Sequence, residues 1–235
     1  MKNVGQPSNS ELNARSVKLP FSRHKKTIIF DLDETLVHCI DDVENTQFDL
    51  PISVTFPTGE TIDAGINVRP YTYECLKKAV QNYQVVVFTA SHKAYADVVL
   101  DTLEKEFRKP HYLTIEEQEM INSSQNADQR RLLLTQLKSQ QKLFDFRLYR
   151  DHCIKSPEGI YIKDLRILKS KDLSQVIIVD NAVYSFGYQL DNGIPIIPYY
   201  SQKENPDDEE LMHLVYYFNC IAQSDDIRVQ NRKAF

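Results

Sequence analysis

Four cysteines are all the chain has in 235 residues, and Cys39, Cys75, Cys153 and Cys220 lie too far apart to form a C-x-x-C pair. Their spacing argues against a zinc site and for reduced thiols in a nuclear or cytoplasmic compartment, with burial as structural cysteines the default. No apolar run approaches the roughly 20 residues of a membrane span, and no signal-peptide core follows Met1, so a soluble chain without a membrane span is expected. Basic residues are concentrated at one end. Residues 1–26 carry six Lys or Arg against one Glu, a net of +5, whereas the remaining 209 carry −10, for −5 overall. An acidic body argues against direct nucleic-acid binding, which needs clustered Lys and Arg. His38 and His213 stand isolated and read as satisfied structural residues, so no Ser-His-Asp arrangement can be built on them. A chain of this length buries about 70% or more of its unfolded surface as one α/β domain, and no staple is required.

What the chain does have is a set of short β-branched runs that end in chemically capable side chains. Thr27-Ile28-Ile29-Phe30 leads straight into Asp31-Leu32-Asp33-Glu34-Thr35-Leu36-Val37-His38, a D-x-D-x-T sequence with two carboxylates where a buried strand would end. In open α/β sheets ligands collect just beyond such ends. A carboxylate can attack phosphorus in line and become an aspartyl phosphate, which divides hydrolysis into two easier steps; Asp31 is read as that nucleophile. Asp33, lifted away by a turn, is suited to protonate the departing alkoxide and later to take a proton from water. Two carboxylates repel a phosphate dianion, so a hard cation is needed, and Mg²⁺ prefers oxygen ligands.

A D-x-D alone is weak, because paired acids are usually solvated loop residues or helix caps. Three further strand ends strengthen it. Tyr83-Gln84-Val85-Val86-Val87-Phe88-Thr89-Ala90-Ser91 finishes in hydroxyls: Thr89 is read as holding a phosphate oxygen, while Ser91 also suits the cap of the next helix. Gly159-Ile160-Tyr161-Ile162-Lys163-Asp164-Leu165 sets Lys163 where its charge would neutralise the phosphate, a solvated lysine being the plain alternative. Val176-Ile177-Ile178-Val179-Asp180-Asn181 ends in two oxygen-bearing side chains that would complete a magnesium site.

The succession DLDETLVH, VVFTAS, YIKDL and VDN resembles the haloacid dehalogenase superfamily. Within it the likeness is to the small phosphatases acting on the C-terminal domain of RNA polymerase II and their NLI-interacting-factor-like relatives. It spans roughly residues 26–229 apart from one insertion and includes Asn67-Val68-Arg69-Pro70-Tyr71 and Leu148-Tyr149-Arg150-Asp151. The resemblance implies a doubly wound, mainly parallel α/β sheet and a Mg²⁺-dependent protein serine/threonine phosphatase, acting on that polymerase domain or a similar phosphoserine or phosphothreonine peptide. Carried over residue by residue, it implies Asp31 as nucleophile, Asp33 as general acid/base, and Thr89, Ala90 and Lys163 as phosphate contacts. Arg150 matches an arginine near the substrate phosphate, although its spacing to Lys163 is one residue longer here. Magnesium would be held by Asp31, Asp33 through its backbone carbonyl, and Asn181, with Asp180 beside them. Alternative readings are a catalytically silent peptide-binding member of the fold, or a phosphatase for a small-molecule or lipid-pathway substrate.

The expected organisation is a disordered basic tail over residues 1–25 and a phosphatase domain over 26–235. Within the domain, residues 41–68 read as a small β insertion: Phe48, Leu50, Ile52, Val54 and Phe56 alternate with polar or small residues, and Ile62, Ala64, Ile66 and Val68 continue after the turn Thr58-Gly59-Glu60. By resemblance, Phe48, Ile52 and Val54 would wall the site for a proline near the phosphoserine, or they only cover the sheet. Pro70 is expected to open a helix. Residues 107–144 depart from the family and read as a helical hairpin: a capped start at Thr114, a break at 123–126, and a helix from Gln129 to Phe144 with Leu133, Leu134, Leu137 and Phe144 on one side. The helix from His92 to about Lys105 runs away from the site, so this insertion is expected at the far end of the sheet, as a protein-partner surface or extra packing. Ile194 to Pro198 reads as an edge strand and Leu211 to Ile221 as a packing helix.

Overall fold

The computed structural model describes residues 5–109, 112, 115–124, 126–140 and 142–235, with side chains left out at 115–117, 134 and 136–140. Its strands in chain order are β1 (Thr27–Phe30), β2 (Val37–Ile40), β3 (Leu50–Thr55), β4 (Thr61–Val68), β5 (Gln84–Phe88), β6 (Phe146–Leu148), β7 (Ile154–Lys155), β8 (Tyr161–Ile162), β9 (Val176–Asp180) and β10 (Gly193–Pro195). The helices are α1 (Asn9–Ala14), α2 (Thr72–Asn82), α3 (Lys93–Phe107), α4 (Ile115–Asn122), α5 (Ala127–Gln140), α6 (Glu210–Ile221) and α7 (Ile227–Ala234).

The three continuous apolar runs become β1, β5 and β9, and every residue in them is buried, as expected of parallel strands covered on both faces. They form the centre of a parallel five-stranded sheet in the order β10-β9-β1-β5-β6. Register positions the chemistry. Phe30 lies opposite both Val87 and Val179, so Asp31 and Asp180 emerge level at one end of the sheet, with Thr89 one residue further along the neighbouring strand.

Strand alternation divides the core in two. Ile28, Phe30, Val85, Val87, Ile177 and Val179 pack beneath α2, α3 and α6, whose buried residues repeat every three or four positions. Ile29, Val86, Phe88 and Ile178 face the other way, onto the β7–β8 hairpin, short 3-10 turns and α1. Among the described residues no helix is long and apolar enough to cross a membrane.

Several expectations are corrected. The supposed disordered tail is laid against the body from residue 5 onward. Ser8 and Glu11 form a reciprocal capping box, Leu12 and Leu19 are buried, and Val17 pairs with Leu168. Average polarity and charge hid two leucines seven apart and an S-x-x-E cap. The β insertion forms, with β3 and β4 antiparallel, but β2 joins it on the other side of β4. Ile52 and Val54 are buried in the core, and Phe48 presses on the backbone of Gly65, where a side chain would overlap its ring. The helix after Pro70 starts at Thr72, because Tyr71 takes a left-handed φ of +62°.

In the insertion, Thr114 and the side chains of Leu134 and Leu137 lie outside the described residues. α5 ends at Gln140, so Phe144 is buried beyond the helix, beside Asp145, which pairs with Val85 through both its backbone and its carboxylate. The expected edge strand is confined to β10, and α7 was not anticipated. Cys75 and Cys153 are buried, whereas Cys39 is half-buried and Cys220 exposed.

Candidate active site

Past β1 the chain turns sharply. Glu34 adopts a left-handed φ of +57° and its N–H donates to Val37 O at 2.7 Å, while Leu36 N–H reaches Leu32 O at 2.9 Å. This turn keeps Asp31 low against the sheet end and separates it from Asp33.

Asp31 is 6% exposed and Lys163 2%. The Lys163 ammonium donates to one Asp31 oxygen and, at 2.6 Å, to Asp180. The other Asp31 oxygen faces the Thr35 hydroxyl at 3.4 Å, and that hydroxyl also lies 3.5 Å from Asn181 Oδ1. Asp180 accepts three hydrogen bonds: one oxygen from Ala182 N–H at 2.8 Å and the other from Lys163 and the Ser185 hydroxyl. The residue expected beside a metal thus also holds Lys163 in place.

Asp33 stands apart within a ring of hydroxyls. Tyr95 donates to one oxygen at 2.7 Å; Ser91 at 2.6 Å and Thr89 at 3.3 Å donate to the other. Ser91 therefore serves Asp33, and the cap of α3 is His92, whose ring accepts from Ala94 N–H. Arg150 spans the mouth: its Nε donates to Ala90 O at 2.6 Å and its guanidinium lies over the Tyr161 ring at 5.2 Å. A cleft of about 510 Å³ lies between these groups, bordered by Asp31, Asp33, Thr89, Ala90, Arg150 and Asn181 among others.

Charge in the cleft is unbalanced. Asp31, Asp33, Glu34 and Asp180 face only Arg150 and Lys163 among its described lining residues. Burial, with Asp180 and Asp33 adding to it and Lys163 opposing, pushes the Asp31 carboxyl up to about 8. Burial disfavours the Lys163 ammonium too, but Asp31 and Asp180 outweigh it and hold its pKa above the ordinary lysine value. A site with excess carboxylate and hard oxygen donors from Asp31, Asn181 and the backbone suits a divalent cation of the Mg²⁺ type. Among the described residues no group of three or more His, Cys, Asp or Glu side chains is arranged to hold a metal ion by itself.

The site residues expected from the sequence, Asp31, Asp33, Thr89, Ala90, Arg150, Lys163, Asp180 and Asn181, all line this one cleft. Tyr95, Ser185 and Thr35 went unassigned. Thr35 was visible as the third member of D-x-D-x-T; Tyr95, four residues beyond Ser91 on α3, carried only a spacing signal. The expected wall of Phe48, Ile52 and Val54 does not border the cleft, whose apolar lining is Ile160, Tyr161, Ala90, Ala182 and Tyr184.

Comparison with known proteins places this geometry in context. The profile of the family described as "NLI interacting factor-like phosphatase" matches residues 26–132 and 118–228, and the two matches overlap within the α4–α5 insertion. "CTD small phosphatase-like protein 2" of Dictyostelium discoideum is 31% identical over 99% of this chain and 34% of its own length. "CTD small phosphatase-like protein 3" of Caenorhabditis elegans is 32% identical over 92% of this chain and 62% of its own length. The chain thus spans less than two thirds of these relatives. The solved structure of "Fcp1, an essential RNA polymerase II CTD phosphatase" shares the fold, with a TM-score of 0.50 at 20% identity over 89% of this chain and 53% of that one.

Proposed function

The chain belongs to the NLI interacting factor-like phosphatase family, and on that premise we propose that it is a Mg²⁺-dependent protein serine/threonine phosphatase working through an aspartyl phosphate on Asp31. The observation that carries this reading is the buried Asp31–Lys163–Asp180 array at the end of β1, with Asp33 held separately a short turn away. In the first step an Asp31 oxygen attacks phosphorus, a P–O bond forms to the carboxylate, and the ester P–O bond breaks. Asp33 in its acid form delivers its proton to the departing seryl or threonyl oxygen. In the second step Asp33 takes a proton from the water that attacks phosphorus, which frees Asp31 and inorganic phosphate. Lys163 and the Arg150 guanidinium balance phosphate charge, and Asp180 with Ser185 fixes Lys163. Asp31, the Asp33 carbonyl and Asn181 would hold Mg²⁺, which when bound supplies charge neutralisation and a template for the phosphoryl oxygens.

A phosphoprotein substrate is favoured over a small molecule because no described residue of β2–β4 lines the cleft, leaving it without a cap from the β insertion. The test is hydrolysis of an aryl phosphate with and without Mg²⁺ by the native protein, Asp31→Asn and Asp33→Asn. Metal-dependent turnover abolished in Asp31→Asn is expected; no turnover by folded, Mg²⁺-supplied native protein would sink the reading.

A further inference from the structure

We propose that the end of the molecule opposite the cleft is a docking face for an anionic lipid bilayer, with the Phe21 ring entering the headgroup region and Lys18, Arg23, Lys25 and Lys169 set against anionic headgroups around it. Phe21 is 97% exposed, more than any other large apolar side chain among the described residues. A slack segment does not account for this, because the chain is tied down on both sides of the ring. Leu19 is buried and its N–H donates to the Ser170 hydroxyl at 3.3 Å, and the Gln84 side-chain amide donates to Pro20 O at 3.0 Å. Beyond the ring, His24 N–H reaches the Ser22 hydroxyl at 3.1 Å, and the Gln84 backbone N–H donates to Lys26 O at 2.9 Å. A held segment therefore lifts an apolar ring clear of its neighbours and into water, an arrangement that burial against a further surface would relieve.

The surroundings of the ring are cationic. Lys18, Arg23, Lys25 and Lys169 are exposed, and the Lys169 N–H donates to Val17 O at 3.2 Å, which brings Lys169 beside Lys18. Among the described residues none of the four pairs with a carboxylate; the Arg23 Nε reaches only the His24 ring, at 3.2 Å. Asp145 and Asp225 act on Lys171 and Lys26 at this end without pairing with either, and burial together with the neighbouring Lys25 keeps Lys26 below the ordinary lysine value. A chain of net charge −5 thus gathers unpaired cations around one projecting aromatic side chain. A protein partner would call for an apolar patch of several residues, and single-stranded nucleic acid for a groove with aromatics in succession. One ring among lysines and arginines matches the interface of an anionic membrane, where aromatic side chains and cations settle at the same depth. Orientation agrees with this use. Thr27, Gln84 and Val176, the first residues of β1, β5 and β9, lie opposite one another at this end, whereas Asp31 stands beyond the last residue of β1. A molecule seated on its Phe21 face turns the cleft away from the bilayer and leaves it open to substrate.

The chain contains no tryptophan, so Phe21→Trp in the full chain reports on this position alone. On mixed phosphatidylcholine–phosphatidylserine vesicles its emission should shift to the blue and be quenched by lipid brominated in the acyl chain, and on phosphatidylcholine alone it should stay unchanged. Adding Arg23→Gln and Lys25→Gln should weaken binding about twentyfold, from roughly fivefold for each cation removed near the surface. Phe21→Ser, followed by vesicle co-sedimentation, should weaken it about tenfold through loss of the buried ring. These side chains are exposed, so every variant should keep the native Tm. An unshifted Phe21→Trp spectrum on the mixed vesicles would overturn the proposal. A shift produced by an oligoglutamate peptide or an oligonucleotide, with none on the mixed vesicles, would also overturn it and assign the face to a protein or nucleic-acid partner instead.

Discussion

Asp33 must give up a proton to an alkoxide, and three hydroxyls fix where its carboxyl points. Tyr95 is the most constrained of them; burial and then the Asp33 charge keep its phenol protonated well above the ordinary tyrosine range, so it donates at any working pH. Tyr95→Phe keeps the ring and removes the donor. The expected result is a fall in kcat of about tenfold on a phosphoserine peptide, less than the roughly 10²–10⁴-fold contributed by an acid–base group itself because Tyr95 only positions Asp33, and a smaller fall on an aryl phosphate, whose leaving group hardly needs the proton. Equal losses on both substrates would show that Tyr95 acts elsewhere than on Asp33. His152 is a second titrating residue with a defined task. Its Nδ1 accepts the Tyr149 N–H at 3.1 Å and so closes the turn that carries Arg150, and burial holds its pKa below the usual histidine value. The folded state then binds fewer protons at His152 than the unfolded chain, so stability rises with pH across this titration and drops as pH falls below about 6.5. Urea midpoints between pH 7.5 and 5.5 should decline more in the native protein than in His152→Asn, which can still accept the N–H but cannot titrate.

At the scale of elements, direction along the sheet separates chemistry from elaboration. α3 begins at the site with Lys93 and ends at Phe107, which packs with Tyr73 and Tyr112 at the far end. α4 and α5 follow from there, and the chain returns through the buried Leu143 and Phe144 to β6. Replacing residues 110–142 by a short Gly-Ser bridge should therefore leave aryl phosphate turnover within about twofold; a folded deletion protein without activity would refute the topological argument. The same contrast explains what could be read in advance. β1, β5 and β9 were legible because strands buried on both faces must be continuously apolar, and their ends named Asp31, Thr89 and Asp180. The pairing of β2 with β4 was not, because it depends on where the Glu34 turn sends the chain. The packing of residues 8–19 was missed for a different reason: two leucines and one cap are too few to register against six basic residues, yet a preformed apolar face lets them suffice.

Across the whole molecule one buried cation joins three distant parts of the chain. Arg69, 1% exposed, binds Asp208 through two hydrogen bonds of 3.0 and 2.7 Å, just ahead of α6, and its third nitrogen reaches the carbonyls of Glu34 and Thr35 at 3.5 and 3.3 Å. The guanidinium thus fastens the turn beyond Asp33 to the entry of the helix that covers the sheet. Removing one partner strands the other charge in the interior, so Arg69→Met should cost about 3–5 kcal/mol in urea unfolding. Replacing both, as Arg69→Met with Asp208→Leu, removes the unpaired charge and should recover most of that loss, because a buried ion pair contributes little beyond what packed hydrocarbon supplies. Activity should behave differently. The double variant restores packing but returns no donor to Glu34 O and Thr35 O, so the turn that separates Asp31 from Asp33 loses its outer support, and kcat should stay at least about tenfold down, as expected when catalytic groups are misplaced by a fraction of an ångström. Recovery of stability and turnover together would mean that the turn holds its shape through Tyr199 N–H on Glu34 O and the Leu32–Val37 hydrogen bonds alone, and that Arg69 is a purely structural residue.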